Sequence, residues 1–464
     1  MESIFLNWLK KIPILPKCQY NLFFQKNMNK LHFKYTYKYY SFLTRKGFKS
    51  LKSNGQLDFS DPNAVLQLSQ SLLRRDFGVS LVLPFDRLCP PVPNRLNYIL
   101  WVQSLLETTD VSSLLHQMRT GAHHKSDSCS DDSPIIGIDI GTGASCIYPL
   151  IGCVLRSRWQ FFGTDIDNKS IQHAQRNVER NKLGDRINVV KVDNQDPLIP
   201  LQALGQEKAN FTMCNPPFYE SKEEMLRSAQ VKKRPPFTAC TGAEIEMITA
   251  GGEVAFVSRI IDESLILKNR IQWYSSMIGK LSSLSILREK LKRAGIDNFA
   301  LTEFVQGNKT KRWAIAWSFN DIRPTVEVAR GVNNVPKSLL PFPSQYRFRI
   351  DITSLVEIGQ RVNAFISQLP LEWMWHAQSL TGLGFSEKDV WSRAARRKYV
   401  TQGQQRKDHC VDIRNMSFGF EILIQKSSVD TNFNQVTIRW TKGYDAVIFE
   451  SFCGMLKSVM DKWT

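Results

Sequence analysis

The sequence predicts an α/β protein: a doubly wound parallel sheet with a smaller α+β domain after it. Three observations lead there. From Ile135 onward, short apolar runs alternate with amphipathic segments. A Gly-rich turn, Gly137-Ile138-Asp139-Ile140-Gly141-Thr142-Gly143, joins the first apolar run to the segment that follows. After a stretch holding Pro324, Pro336, Pro341 and Pro343, the pattern changes to period-two alternation that closes on a helix. Strands alternating with helices build parallel sheets, whose ligands bind beyond the carboxyl ends of the strands.

Asp61-Pro62 precedes apolar residues at 64, 65, 68, 72 and 73, which predicts a helix behind an Asp cap. Residues 97–106 predict a second helix, and the polar stretch 121–134 a loop. A buried strand over 135–140, a helix over 145–154, a strand over 159–164 and a helix over 169–181 follow. Strands are expected at 187–192 and 211–214, the latter running into Asn215-Pro216-Pro217-Phe218. Residues 245–250 and 252–262 read as a helix pair or a helix–strand step. Strands over 273–281 and 313–318 flank a helix over 284–294. Beyond it, 346–352, 417–425 and 434–440 alternate like strands, Lys442-Gly443 makes a turn, and a one-sided apolar stripe from 448 to 463 marks the last helix. The expected divisions are a basic extension over 1–40, a sheet domain with a helical beginning over 41–320, a linker over 321–345 and an accessory domain over 346–464.

The 464 residues carry 61 basic and 43 acidic side chains, a net charge of +18 that biases the partner towards a polyanion such as nucleic acid. The nine Cys are scattered singly, so neither a disulfide framework nor a zinc site is indicated, and the chain reads as reduced, in the nucleus or cytosol. No apolar run reaches the roughly 20 residues of a membrane span. The first forty residues hold seven Lys, no Arg and one acid; they fit an RNA-gripping arm or an extension unrelated to the fold.

Glycines at the strand–helix turn let backbone approach a ligand closely. A dinucleotide turn wants a third Gly where Cys146 stands. Asp139 within the strand and Asp165 at the end of the next strand suit an adenosyl cofactor better, because a carboxylate can accept both ribose hydroxyls. After the third strand, Asp193 or Asp196 is placed to face the adenine amine; either can instead cap a turn.

Asn215-Pro216-Pro217-Phe218 supplies the chemistry. An exocyclic amine is a poor nucleophile because its lone pair is delocalised into the ring. The Asn215 amide oxygen and the Pro216 carbonyl can accept its two hydrogens, which favours a pyramidal nitrogen with its lone pair aimed at an incoming methyl. Two prolines fix φ and pre-aim those carbonyls. Phe218 offers a stacking face for a flipped base. Such sites act on protein glutamine, guanine N2 and adenine N6. Basic residues flanking the quartet, Lys232, Lys233, Arg234, Lys311 and Arg312, favour nucleic acid, and 393–407 adds a basic face to the accessory domain. The sheet domain is therefore expected to be a Rossmann-like class I methyltransferase using S-adenosylmethionine, with no metal. Two other readings compete: a structured-RNA-binding regulator whose catalysis is incidental, and a protein-glutamine N-methyltransferase.

Over roughly residues 55–320 the sequence resembles the methyltransferase-like protein 16 family, the adenine-N6 methyltransferases of U6 small nuclear RNA. The resemblance rests on Leu73-Arg74-Arg75-Asp76-Phe77-Gly78, Arg95-Leu96-Asn97-Tyr98, the Gly turn through Leu150, Met213 to Phe218, and Arg312-Trp313-Ala314-Ile315-Ala316-Trp317-Ser318-Phe319. It implies a nuclear and cytoplasmic enzyme acting on an adenine of structured RNA, including hairpins of the S-adenosylmethionine synthetase messenger. It implies cofactor contacts at Arg95, Gly141, Asp165, Asp196 and Asn215, with Arg95 on the methionine carboxylate. Trp440-Thr441-Lys442-Gly443 and Phe449-Glu450-Ser451-Phe452 resemble the family's accessory RNA-binding region. The chain departs from the family in three places: a poor match before about residue 40, Asp165 where Glu is familiar, and Gln195-Asp196 in place of the Lys-Thr of a cofactor-occluding loop.

Overall fold

The computed structural model describes residues 58–463, apart from 113, 115–132, 231–241, 307–309, 334, 352–353, 393–394, 396–412 and 427–432. The chain divides into two compact units. The first contains 58–104, Asp131–Phe319 and Gly331–Leu340; the second contains Leu105–Ser130, Asn320–Arg330 and the chain from Pro341.

In the first unit, α1 (Pro62–Phe77) starts where Asp61 accepts the Asn63 N–H, an N-cap that stabilises a helix by about 1 kcal/mol. It buries Ala64, Ser69, Leu73 and Phe77. Then come α2 (Val92–Thr108), β1 (Ile135–Ile140), α3 (Ile147–Leu155), β2 (Trp159–Asp165), α4 (Asn168–Arg180), β3 (Ile187–Lys191) and β4 (Ala209–Cys214). The Asp167 carboxylate caps α4 by accepting the Ser170 N–H. After the quartet lie α5 (Lys222–Gln230), α6 (Glu244–Met247), α7 (Gly252–Leu267), β5 (Ile271–Ile278), α8 (Leu281–Arg293), β6 (Phe299–Gln306) and β7 (Thr310–Trp317). Completing the order are α9 (Val326–Ala329), β8 (Arg330–Gly331), β9 (Gln345–Ile350), α10 (Leu355–Ile366), β10 (Glu372–His376), β11 (Thr381–Ser386), β12 (Phe418–Lys426), β13 (Asn434–Lys442) and α11 (Ala446–Met460).

The large sheet has the order β3-β2-β1-β4-β5-β7-β6-β8. Strands β1 to β5 run parallel, and the order reverses between β1 and β4, the place where open α/β sheets bind ligands. The sheet domain is the Rossmann-like α/β fold expected, and its far edge departs from the parallel run: β7 pairs antiparallel with both β5 and β6. Only residues 307–309 separate β6 from β7, too few for a crossover, so the two must form a hairpin. The alternation had missed β6 because Ala300, Leu301 and Thr302 are buried in succession and show no period. Packed against this sheet are Val257, Ile260 and Ile261 of α7 and Leu284, Leu287 and Leu291 of α8.

In the second unit, five antiparallel strands take the order β10-β11-β12-β13-β9. Ile358, Val362 and Ile366 of α10 and Phe452 and Leu456 of α11 pack on Phe420, Ile422, Val436 and Ile438. Helix α10 and strands β10 and β11 were not foreseen. Strand β11 is buried throughout and carries Gly382 and Gly384, so it offers no alternation to read. The stretch expected as a linker is not free chain: it forms α9 and β8, and Ile322 and Arg323 are buried within it. Residues 105–114 join the second unit because Val111 and Leu114 pack with Leu383, Phe385 and Ile413. Among the described residues no helix is long and apolar enough to cross a membrane.

Candidate active site

The carboxyl ends of β1, β2 and β4 bring the expected residues of the first unit to one edge. At the Gly turn, Gly141 (φ 70°) and Gly143 (φ 63°) adopt the left-handed conformation that favours glycine, and they keep the turn bare of side chains. Just before it, Asp139 is fully buried; its Oδ2 accepts from Thr142 Oγ1 at 2.8 Å, while its Oδ1 has no partner. Burial pushes this carboxyl up to about 7 against the opposing pull of Thr142 and Arg95. Asp165 closes the turn from the next strand: Oδ2 accepts the Gly143 N–H at 2.8 Å and Oδ1 the Asp167 N–H at 2.9 Å. Burial raises its pKa despite those two donors.

Arg95, from α2, is buried against the same edge. Its Nη1 donates to Tyr148 Oη at 2.7 Å and to Asn215 Oδ1 at 2.9 Å, and lies 3.1 Å from Met277 Sδ. Its Nε is buried without a partner. A guanidinium with a free donor, a bare turn and a fixed carboxylate make a set that suits S-adenosylmethionine: Arg95 for the methionine carboxylate, Gly141 and Gly143 for close backbone approach, Asp165 for the ribose. Asp196 behaves otherwise. Its exposed carboxylate accepts the Asp193 N–H at 2.8 Å, the turn-capping alternative, and its carbonyl accepts from Arg259.

The quartet leaves β4 held at both ends. The Cys214 N–H donates to Tyr98 Oη at 3.4 Å; that hydroxyl also bonds Ser275 Oγ at 2.8 Å, and Ser275 donates to the Thr212 carbonyl at 2.6 Å. Downstream, the Tyr219 N–H donates to the Met247 carbonyl at 3.0 Å and the Tyr219 carbonyl accepts from Thr249 at 2.9 Å. Pro216 is buried; Asn215, Pro217 and Phe218 are half-buried. Phe218 lies on bare backbone, since a Cβ on Gly279 would come within 2.8 Å of its Cδ1. Buried Glu253 fixes that backbone by accepting the N–H groups of Gly279 at 2.6 Å and Lys280 at 3.0 Å. The Arg312 guanidinium stands 5.5 Å from the Phe218 ring centroid.

Arg312 was expected among the basic residues that favour nucleic acid. It sits on β7, half-buried, with its pKa lowered by burial. Lys311 pairs with Glu303 at 3.0 Å. Lys232, Lys233 and Arg234, and the basic residues 393, 396–398 and 406–407, lie outside the described residues. Tyr98, Tyr148 and Glu253 are site residues that sequence reading missed. Helical spacing puts Tyr98 one turn from Arg95, the only local signal for any of them.

Residues 25–321 match a family described as RNA methyltransferase. The chain is 35% identical over 404 residues to the U6 small nuclear RNA (adenine-(43)-N(6))-methyltransferase of Schizosaccharomyces pombe, covering 87% of this chain and 94% of that one. It is 44% identical over 278 residues to the human RNA N(6)-adenosine-methyltransferase METTL16, covering 59% of this chain and 45% of the human protein. A crystal structure of the human METTL16 catalytic domain with the MAT2A 3'UTR hairpin 1 superposes with a TM-score of 0.50 at 41% identity, covering 61% of this chain and 91% of that one.

Proposed function

This chain belongs to the METTL16 family of S-adenosylmethionine-dependent RNA adenine-N6 methyltransferases, and on that premise we propose that it methylates U6 small nuclear RNA and hairpins of the S-adenosylmethionine synthetase messenger. The observation that carries the chemistry is the Asn215 amide oxygen at the carboxyl end of β4, tied to buried Arg95 on the edge that also holds Asp165.

The cofactor supplies an electrophilic methyl on a sulfonium. The protein has to present a nitrogen to it. Asn215 Oδ1 and the Pro216 carbonyl accept the two N–H groups of the adenine amine, drawing its lone pair out of the ring. The two prolines hold those acceptors at fixed φ, so little reorganisation is needed as the nitrogen gains positive charge. Phe218, against Gly279 and beside Arg312, stacks the extruded base. Arg95 and Asp165 orient the cofactor at its methionine and ribose ends. Asp193 and Asp196 form the rim of the adenine side in this reading. The nucleus and cytoplasm are the proposed locations, supported by the kinds of RNA named for the relatives.

The test is nucleoside mass spectrometry after incubation of the protein with S-adenosylmethionine and each RNA. N6-methyladenosine should form with wild type and fall at least 100-fold in Asn215→Ala, the scale of losing one preorganised polar contact. Label on peptides with none on RNA would assign the quartet to glutamine instead. RNA binding with no transfer to any substrate would leave a binding protein.

A further inference from the structure

Glu246 lies on the short helix α6, outside every role assigned above. Its Oε2 accepts two backbone N–H groups from separate parts of the chain, Leu88 at 2.9 Å and Ala243 at 2.9 Å. One oxygen thus ties the approach to α2 to the segment that follows the quartet. The other oxygen, Oε1, has no hydrogen-bond donor among the described residues. It faces the Gly turn, where a Cβ on Gly143 would lie 3.6 Å from it. Gly143 is the residue whose N–H Asp165 accepts at 2.8 Å, so two carboxylates bracket one glycine. Burial and the nearby Asp165 raise the Glu246 pKa, as expected for acids sharing one edge. Two further polar atoms there, Asp139 Oδ1 and Arg95 Nε, are buried without partners and point to a ligand on this side of the sheet.

An adenosyl ribose brings two hydroxyl donors. Asp165 already spends part of each oxygen on a backbone N–H, whereas Glu246 keeps one whole oxygen for a ligand. We propose that Glu246 is a second ribose-holding carboxylate, taking one hydroxyl of the diol while Asp165 takes the other. This rests on the reading that Asp165 holds the cofactor ribose.

The test is calorimetric titration of the full chain with S-adenosylhomocysteine and its 2′-deoxy and 3′-deoxy analogues, for wild type, Glu246→Gln and Asp165→Asn. Glutamine keeps an oxygen for Leu88 and Ala243, so the fold should persist; a thermal melt checks this. Wild type should lose about tenfold or more in affinity for each missing hydroxyl, the scale of a hydrogen bond to a charged acceptor. Glu246→Gln should bind S-adenosylhomocysteine about tenfold more weakly and become insensitive to loss of one particular hydroxyl. Asp165→Asn should become insensitive to the other. Equal sensitivity of Glu246→Gln and wild type to both deletions overturns the proposal and leaves Glu246 a bracket between chain segments. Unchanged affinity in Asp165→Asn would instead overturn the underlying ribose reading. Should Glu246→Gln lose its cooperative melt, Glu246→Asp is read by the same coupling.

Discussion

Arg95 Nη1 donates to Asn215 Oδ1 at 2.9 Å, joining a helix before the sheet to the catalytic quartet across 120 residues of chain. The residue expected to hold the cofactor's methionine end therefore also orients the amide proposed to receive the substrate amine. Nη1 alone serves Tyr148 and Asn215, leaving the rest of the guanidinium fork for a carboxylate; lysine keeps the charge but concentrates every donor on one nitrogen. Arg95→Lys should both raise KM for S-adenosylmethionine and lower kcat, with a combined loss of about 10- to 100-fold in kcat/KM. Steady-state methylation of a hairpin RNA checks this; a change in KM alone would show that the bond to Asn215 has no part in turnover.

Asp139 gives a pH prediction. Its folded pKa of about 7 lies above the ordinary carboxylate value of 3.8 because the group is buried. A folded state that holds its proton more tightly than the unfolded chain is favoured at low pH, and this advantage is lost as pH rises from about 4 to about 7. Asn mimics the protonated form and still accepts from Thr142. Asp139→Asn should therefore melt above wild type at pH 8.5, by a margin that shrinks steadily as pH falls from about 7 towards about 4, which differential scanning fluorimetry across that range decides.

Gly279→Ala tests the bed beneath Phe218. The added Cβ would meet Phe218 Cδ1 at 2.8 Å and Glu253 Oε2 at 3.1 Å. Overpacking of this kind costs about 1–3 kcal/mol, so the melting temperature should fall by a few degrees. Methyl transfer should fall more steeply, at least tenfold, because the stacking ring shifts, while calorimetric affinity for S-adenosylhomocysteine stays the same. Full activity would separate Phe218 from substrate positioning.

The two adjacent cations of β7 should behave differently. Lys311, more than a third exposed beside Glu303, is able to reach phosphate. Lys311→Ala should weaken RNA binding at low salt and flatten the salt dependence by about one ion. Arg312 supports the Phe218 ring, so Arg312→Ala should lower the transfer rate about 2- to 30-fold at saturating RNA, the range of a cation–π contact. Filter binding and single-turnover rates separate the two effects.

What the sequence made legible was local. The strand–helix alternation, the Gly turn and the quartet are each contained in a few neighbouring residues, and the structure brings Gly141, Asp165 and Asn215 to one edge. What it hid depends on distant partners. Nothing near Glu253 signals that its carboxylate binds backbone 26 residues later, and nothing beside Arg312 signals a phenylalanine 94 residues earlier. Arg95 was assigned by resemblance alone, because its partners lie 53, 120 and 182 residues away. The hairpin β6–β7 was hidden for a similar reason: it depends on a strand with no period to read.

Helix α2 has a consequence for how the protein matures. Arg95 and Tyr98 are held at the site by partners spread along the chain, from Tyr148 of α3 to Met277 of β5, with Ser275 lying 177 residues beyond Tyr98. Closing loops of that length is the slow part of folding. A chain emerging from the ribosome has its Gly turn long before it has Met277, and until β5 arrives the contacts of Arg95 with Met277 and of Tyr98 with Ser275 cannot form. The full set of ties around Arg95 and Tyr98 therefore closes only once β5 is in place, late in synthesis of the first unit.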